Sequence, residues 1–230
     1  MLTPITDLDR YLTTRTSWHT LAERVLAPAR HAATGRIGLR PTLAGVTTPE
    51  FSGDHTVAIE GTELVISYAA APRSPITTLG AAATAAAVDL ATDTGLYTPT
   101  TPDDPDAPLV VDSGMATVLA EWFTFGNRAL LAWSAGHPDD TPSEIQLWPE
   151  HFDLALDLGP ESGRANFGAS PGDGGHALPY LYVGPWNPNE HPFWNAGTYA
   201  RLGYEELSAG PDPAALAAHF FGEGYAAANS

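Results

Sequence analysis

The sequence predicts an α+β fold in which a strongly curved antiparallel β-sheet packs on one buried central helix, with further helices flanking it. Three observations predict it. Residues 112–133 are apolar almost all round at helical spacing, and residues 37–66 and 144–204 alternate apolar and polar side chains with period two. Gly and Pro, 22 and 21 of the 230 residues, supply the turns that short antiparallel strands need.

The elements follow in chain order. After Ser17, Leu21, Val25 and Leu26, with Trp18 and Ala22 beside them, form the stripe of an amphipathic helix capped by Ser or Thr and closed near Gly35. Ile37 and Leu39 alternate with Arg36 and Arg40. Val57 and Ile59, then Leu64 and Ile66, make two more strands joined by Glu60-Gly61-Thr62. Residues 77–93 are Ala-rich, carry Leu79, Val88 and Leu90 and end before Gly95, so propensity favours a helix. Residues 98–108, with prolines 99, 102, 105 and 108 and acids Asp103, Asp104 and Asp106, form a loop. Asp112 or Ser113 caps the central helix, whose inward set is Met115, Val118, Leu119, Trp122, Phe123, Phe125, Leu130, Leu131 and Trp133.

From Glu144 the period is two: Ile145 and Leu147; Phe152, Leu154, Leu156 and Leu158; Ala165, Phe167 and Ala169; Leu181 and Val183; Ala200, Leu202 and Tyr204. Up to five strands are expected here. Asp212 and Pro213 open a final helix carrying Leu216, Phe220, Phe221 and Tyr225. No linker-like stretch divides the chain, so a single domain over residues 1–230 is expected.

Composition narrows the chemistry. All 10 basic residues are Arg, which removes lysine Schiff bases and P-loop lysines. No cysteine is present, so thiolate nucleophiles, thiolate zinc sites and disulfides are excluded. A formal charge of -17 repels phosphate backbones and anionic lipid, so neither nucleic acid nor a membrane is expected as a partner. The acidic amino terminus lacks a basic n-region and an apolar run, and the expected location is the cytoplasm. The residues leave metal, cofactor and oligomeric state open.

Gly168-Ala-Ser170-Pro-Gly172 matches the pattern of a hydrolase nucleophile elbow, but the residue after the serine must donate its N–H to an oxyanion and Pro171 has none. It reads as a turn. In a strand over residues 151–158, His151, Asp153 and Asp157 share the face opposite the leucines, which would make His151 a general base oriented by Asp153. The same parity places Trp148, then Arg164 and Asn166, then Tyr180 and Tyr182, then Arg201 opposite their strands' apolar sets. Trp186 follows in the next loop. Aromatic walls with convergent polar groups describe a small-molecule cleft, and these seven residues are the expected ligand-binding set. His151, His176 and His191 lie on segments that a fold could bring together around a metal. The three acids of the loop lack the spacing of a calcium loop.

Leu147-Trp-Pro-Glu-His-Phe-Asp153, Gly172-Asp-Gly-Gly-His-Ala-Leu-Pro-Tyr-Leu-Tyr-Val-Gly-Pro-Trp186 and the closing helix resemble uncharacterised bacterial proteins, mostly actinobacterial, grouped as a domain of unknown function. In that family a Phe-Asp-Leu-Ala strand precedes a Gly/Pro-rich loop, a Tyr-rich strand, a short strand and an Ala-rich terminal helix. Residues 147–228 follow that order. The resemblance implies one continuous domain and assigns no reaction. The functional expectation is a small organic ligand bound in an aromatic and polar cleft on the sheet face, with His/carboxylate catalysis open. The alternative is a non-enzymatic protein–protein interaction or scaffold module.

Overall fold

The computed structural model describes residues 2–92 and 94–230, and its class is α+β, as the periodicities predict. The strands do not form one curved sheet. They divide into two open antiparallel sheets of five strands each, ordered β1-β2-β3-β4-β5 and β10-β9-β8-β7-β6. Two compact units result, and they do not follow the chain in one cut: an amino-terminal unit of Ile5–Glu121 with Leu147–Phe152, and a carboxy-terminal unit of Trp122–Gln146 and Asp153–Ser230 with the leading residues to Pro4.

In the amino-terminal unit, α1 (Leu8–Leu21) runs through a π-helical turn (Ala22–Leu26) into α2 (Ala27–Thr34), closed by Gly35 at φ 68°. The helix starts well before Ser17. Asp7 is the cap, accepting the Arg10 N–H at 3.1 Å, while Ser17 lies inside the helix and donates to the Val110 carbonyl. Threonines blur the stripe in this stretch. Thr13 and Thr20 return their hydroxyls to carbonyls four residues back, which hides polar side chains within helical backbone.

Three of the strands here are very short. The expected strand around Ile37 and Leu39 reduces to a bridge between Leu39 and Leu147 and to β1 (Arg40–Pro41), because Pro41 offers no N–H to a ladder. After β2 (Gly45–Thr47) comes the hairpin of β3 (Val57–Glu60) and β4 (Glu63–Ile66), which turns at Gly61 and Thr62 as expected. Its end places Glu60 opposite Glu63, and Arg73 of β5 (Arg73–Pro75) binds both carboxylates, at 2.5 and 3.0 Å. The Ala-rich helix is shorter than its composition suggests. As α3 it spans only Leu79–Ala85, capped by Thr78, since Ala87 takes φ 54° and the Val88 N–H closes back on Ala83. Asp93, where that expected helix ended, lies outside the described residues.

The long helix α4 (Ser113–Ala135) belongs to the amino-terminal unit up to Glu121 and to the other from Trp122. Asp112 caps it, accepting the N–H groups of Gly114 and Met115 at 2.9 and 3.0 Å. Trp122, Phe123 and Leu130 are fully buried, whereas Leu131, expected inside, is 52% exposed because it sits a further 100° around the helix.

The carboxy-terminal unit contains β7 (Asp153–Leu158), β8 (Ala165–Ser170), β9 (Tyr180–Pro185) and β10 (Ala200–Gly203); β6 (Gln146–Trp148), last in the strand order, has Gln146 in this unit and Leu147 and Trp148 in the amino-terminal one. Tyr204 begins α5 (Tyr204–Ala209) instead of ending β10, and α6 (Pro213–Ala228) opens on Asp212 and Pro213 as expected. Close approach explains two glycines. A Cβ on Gly126 of α4 would lie 2.5 Å from that of Ala169, and one on Gly224 of α6 would lie 2.7 Å from Val183. One sheet face is thereby sealed by helices through Phe167, Phe221 and Trp133, and the other remains polar. No helix among the described residues is long and apolar enough to cross a membrane.

Candidate functional site

The polar sheet face is built by alternation. Leu154, Leu156 and Leu158 are buried against the helices, as are Phe167, Leu181, Val183 and Leu202. Asp153, Asp157, Asn166, Tyr180, Tyr182 and Arg201 occupy the intervening positions. Register then sets neighbours: Ala155, Gly168, Tyr182 and Arg201 form one row across the four strands. Gly168 is required in that row, since a Cβ there would lie 2.3 Å from the Tyr182 ring.

The tyrosines are not open walls. The Tyr182 hydroxyl donates to Asp153 Oδ2 at 2.5 Å, and the Tyr180 hydroxyl donates to Asp173 Oδ2 at 2.5 Å. Burial, then the neighbouring carboxylate, holds the Tyr182 phenol well above the ordinary range. Burial and the bond to Asp173 raise Tyr180 in the same way. Both rings are therefore fixed hydrogen-bond donors at neutral pH.

His151 falls outside the strand expected to carry it. Phe152 has φ 53°, which breaks the alternation, and β7 begins only at Asp153. His151 is exposed in the preceding turn, while Asp153 is 7% exposed and gives Oδ2 to Tyr182. The shared face that would orient His151 by Asp153 is thus absent. Trp148, in β6, belongs with His151 to the amino-terminal unit.

Three of the expected ligand residues do come together. Arg164 binds Asp157 at 2.5 Å and donates to the hydroxyl of Thr141 and the carbonyls of Thr141 and Gly159, all within 3.1 Å. Its guanidinium carbon lies 5.4 Å from the centroid of the Trp186 ring, whose Nε1–H donates to Asn166 Oδ1 at 3.0 Å. Arg164 and Trp186 edge a cleft of about 390 Å³, completed by Asp139, Asp140, Glu161 and Pro160, while Asn166 only steadies the Trp186 indole. Trp186 is 55% exposed at its rim. Arg201 is half-buried beside Tyr182 in the sheet and does not line this cleft.

The expected histidine cluster does not form a metal centre: among the described residues no group of three or more His, Asp or Glu is placed to hold a metal ion. His176 packs edge-on to Tyr180, and His191 accepts the Phe193 N–H through Nδ1. Ser170 is buried and accepts the Gly172 N–H, as a turn residue would.

A second polar cluster escapes sequence reading. In the amino-terminal unit, His19 and Glu23 are four residues apart across the junction of α1 with the π-helical turn, and Glu23, Arg24 and Glu150 lie around Tyr97. Glu23 is 1% exposed. The available signal was the His19/Glu23 spacing, but it sat in an ordinary amphipathic pattern, and Tyr97 and Glu150 come from distant loops. Neither family models, curated proteins nor solved structures give a match to this chain.

Proposed function

We propose that the carboxy-terminal unit binds a small organic ligand in the cleft edged by Arg164 and Trp186. The supporting observation is an indole 55% exposed to solvent yet fixed on two sides, by Asn166 through Nε1 and by the Arg164 guanidinium at its ring. An exposed, pre-positioned aromatic at the mouth of a concavity of about 390 Å³ suits a flat or apolar skeleton. Arg164 has already spent its donors on protein oxygens. Recognition therefore falls to the carboxylates of Asp139 and Glu161, which select hydroxyl or amine donors. The interface alternative is less favoured, because Tyr180 and Tyr182 turn their hydroxyls down onto carboxylates rather than presenting a broad aromatic surface.

Native mass spectrometry of the purified chain, followed by tryptophan-fluorescence titration with aromatic amines and polyols, tests this reading. Wild type is expected to show saturable binding that Trp186→Ala loses while its folding transition stays intact. Equal responses from both chains would remove the cleft as the binding site.

A further inference from the structure

β10 stands at one end of the strand order in the carboxy-terminal unit, and an end strand turns backbone N–H and C=O groups outward with no strand to take them. Here one side chain takes them. Asn195 Oδ1 accepts the Arg201 N–H at 2.9 Å, and Asn195 Nδ2 donates to the Arg201 carbonyl at 3.0 Å. With both groups of Arg201 turned to Asn195, the bonds of β10 to β9 fall to the alternate residues, Ala200 and Leu202, in register with Val183 and Leu181. Two residues earlier, the Tyr199 carbonyl accepts the Ala196 N–H at 3.0 Å.

The segment that carries Asn195, residues 186–199, is itself fastened to α6. Asn189 Nδ2 donates to the Ala227 carbonyl at 2.8 Å, and Asn189 Oδ1 accepts the Trp194 Nε1–H at 2.6 Å. Phe193 packs on Phe220, ring centroids 5.3 Å apart. These anchors hold the neighbouring Asn195 against the edge. Asn195 is exposed, so water would serve the same two backbone groups in its absence. What the side chain adds is occupancy. One partner that both gives to and accepts from a single residue reproduces the hydrogen-bonded pair of an antiparallel ladder. Antiparallel is also the direction that two identical edges take about a two-fold axis.

We propose that Asn195 is an edge guard: it fills the pairing groups of β10 and so keeps two copies of this chain from joining their sheets through that strand. The excluded occupant is the β10 of a second copy. With Ala200 on the axis, each Arg201 lies opposite Tyr199 of the other copy, and no two guanidinium groups face each other. The formal charge of -17 repels other copies, but salt screens it beyond about 8 Å, and the edge needs a block at contact.

Sedimentation velocity of the full chain over a concentration series, with amide hydrogen exchange on the same samples, tests the guard. Asn195→Ala removes it and keeps the anchors at Asn189, Phe193 and Trp194. This variant is expected to reach twice the wild-type mass as concentration rises. Its Arg201 amide is expected to exchange about tenfold faster than in wild type when dilute, and to regain protection as the mass doubles. Asn195→Asp keeps an acceptor for the Arg201 N–H and sets a like charge on the edge of each copy, so it is expected to hold the wild-type mass throughout. A wild-type mass for Asn195→Ala at every concentration, an Arg201 amide that stays as protected as in wild type when dilute, or doubling in Asn195→Asp as well would each overturn the proposal. Association accompanied by loss of protection in β7 and β8 would overturn it too, because that pattern marks unfolding and not edge pairing.

Discussion

The sheet face of the carboxy-terminal unit and the polar cluster around Glu23 and Tyr97 in the amino-terminal unit use the same side-chain types, and they end in different states. On the sheet, Tyr182 closes on Asp153, Tyr180 on Asp173, Arg164 on Asp157 and Trp186 on Asn166. Around Tyr97, Glu23 is saturated, yet Arg24 Nε and Glu150 Oε2 have no hydrogen-bond partner. A polar network that satisfies itself gives rigidity and leaves shape as its means of selection, which suits an exposed indole beside a cleft.

The largest effect that would sharpen this contrast is expected at Glu23. Glu23→Ala strands the buried N–H and hydroxyl of Thr101 and frees the part-buried Thr100 N–H, which should cost about 3 kcal/mol in denaturant unfolding. A loss under about 1 kcal/mol would mean the loop is held by other contacts. Next comes Gly168→Val, which forces a side chain into the Tyr182 ring and should cost about 3 kcal/mol by the same measurement. Tyr182→Phe removes one hydrogen bond to a carboxylate and is expected to cost about 2 kcal/mol; no change would show that the sheet network does not stabilise the unit.

Smaller effects depend on pH. The folded-state pKa of His19 is lowered below its unfolded value of 6.5, so the unfolded chain binds the extra proton first. Stability is fully retained above that value and falls as pH drops through it. His19→Gln should flatten this part of the stability profile, and an unchanged slope would assign it to other groups. The raised phenols of Tyr97, Tyr180 and Tyr182 have the opposite sense: they resist ionisation above pH 10, so phenolate absorbance from them should appear only together with unfolding. The smallest effect is expected from Trp186→Ala, within about 0.5 kcal/mol of wild type, because an exposed ring contributes little to the core.

The strands of the second half and their inward faces were legible from the chain, since period two with buried leucines fixes which face turns inward. The polar face, with Arg164, Asn166, Tyr180, Tyr182 and Arg201 opposite the apolar set, follows from the same parity. His151 was not legible, because one residue, Phe152, in a left-handed conformation shifts its parity. The hydrogen bonds that close the tyrosines were hidden for another reason. Asp153 and Tyr182 are 29 residues apart, and their meeting depends on strand register. The start of α1 was masked by threonines that bond back to their own helix.

By itself the sequence determined the α+β class, the exclusion of thiol and lysine chemistry, the cap at Asp212 and the inward face of each carboxy-terminal strand. These rest on composition and on local periodicity, which act over a few residues. Only the tertiary structure decided that the strands form two sheets, that Arg164 and Trp186 edge a cleft without Arg201, and that Glu23, Arg24 and Glu150 gather around Tyr97. Those outcomes depend on which distant segments pair and pack, where the free energy comes from burial and register between residues far apart in the chain.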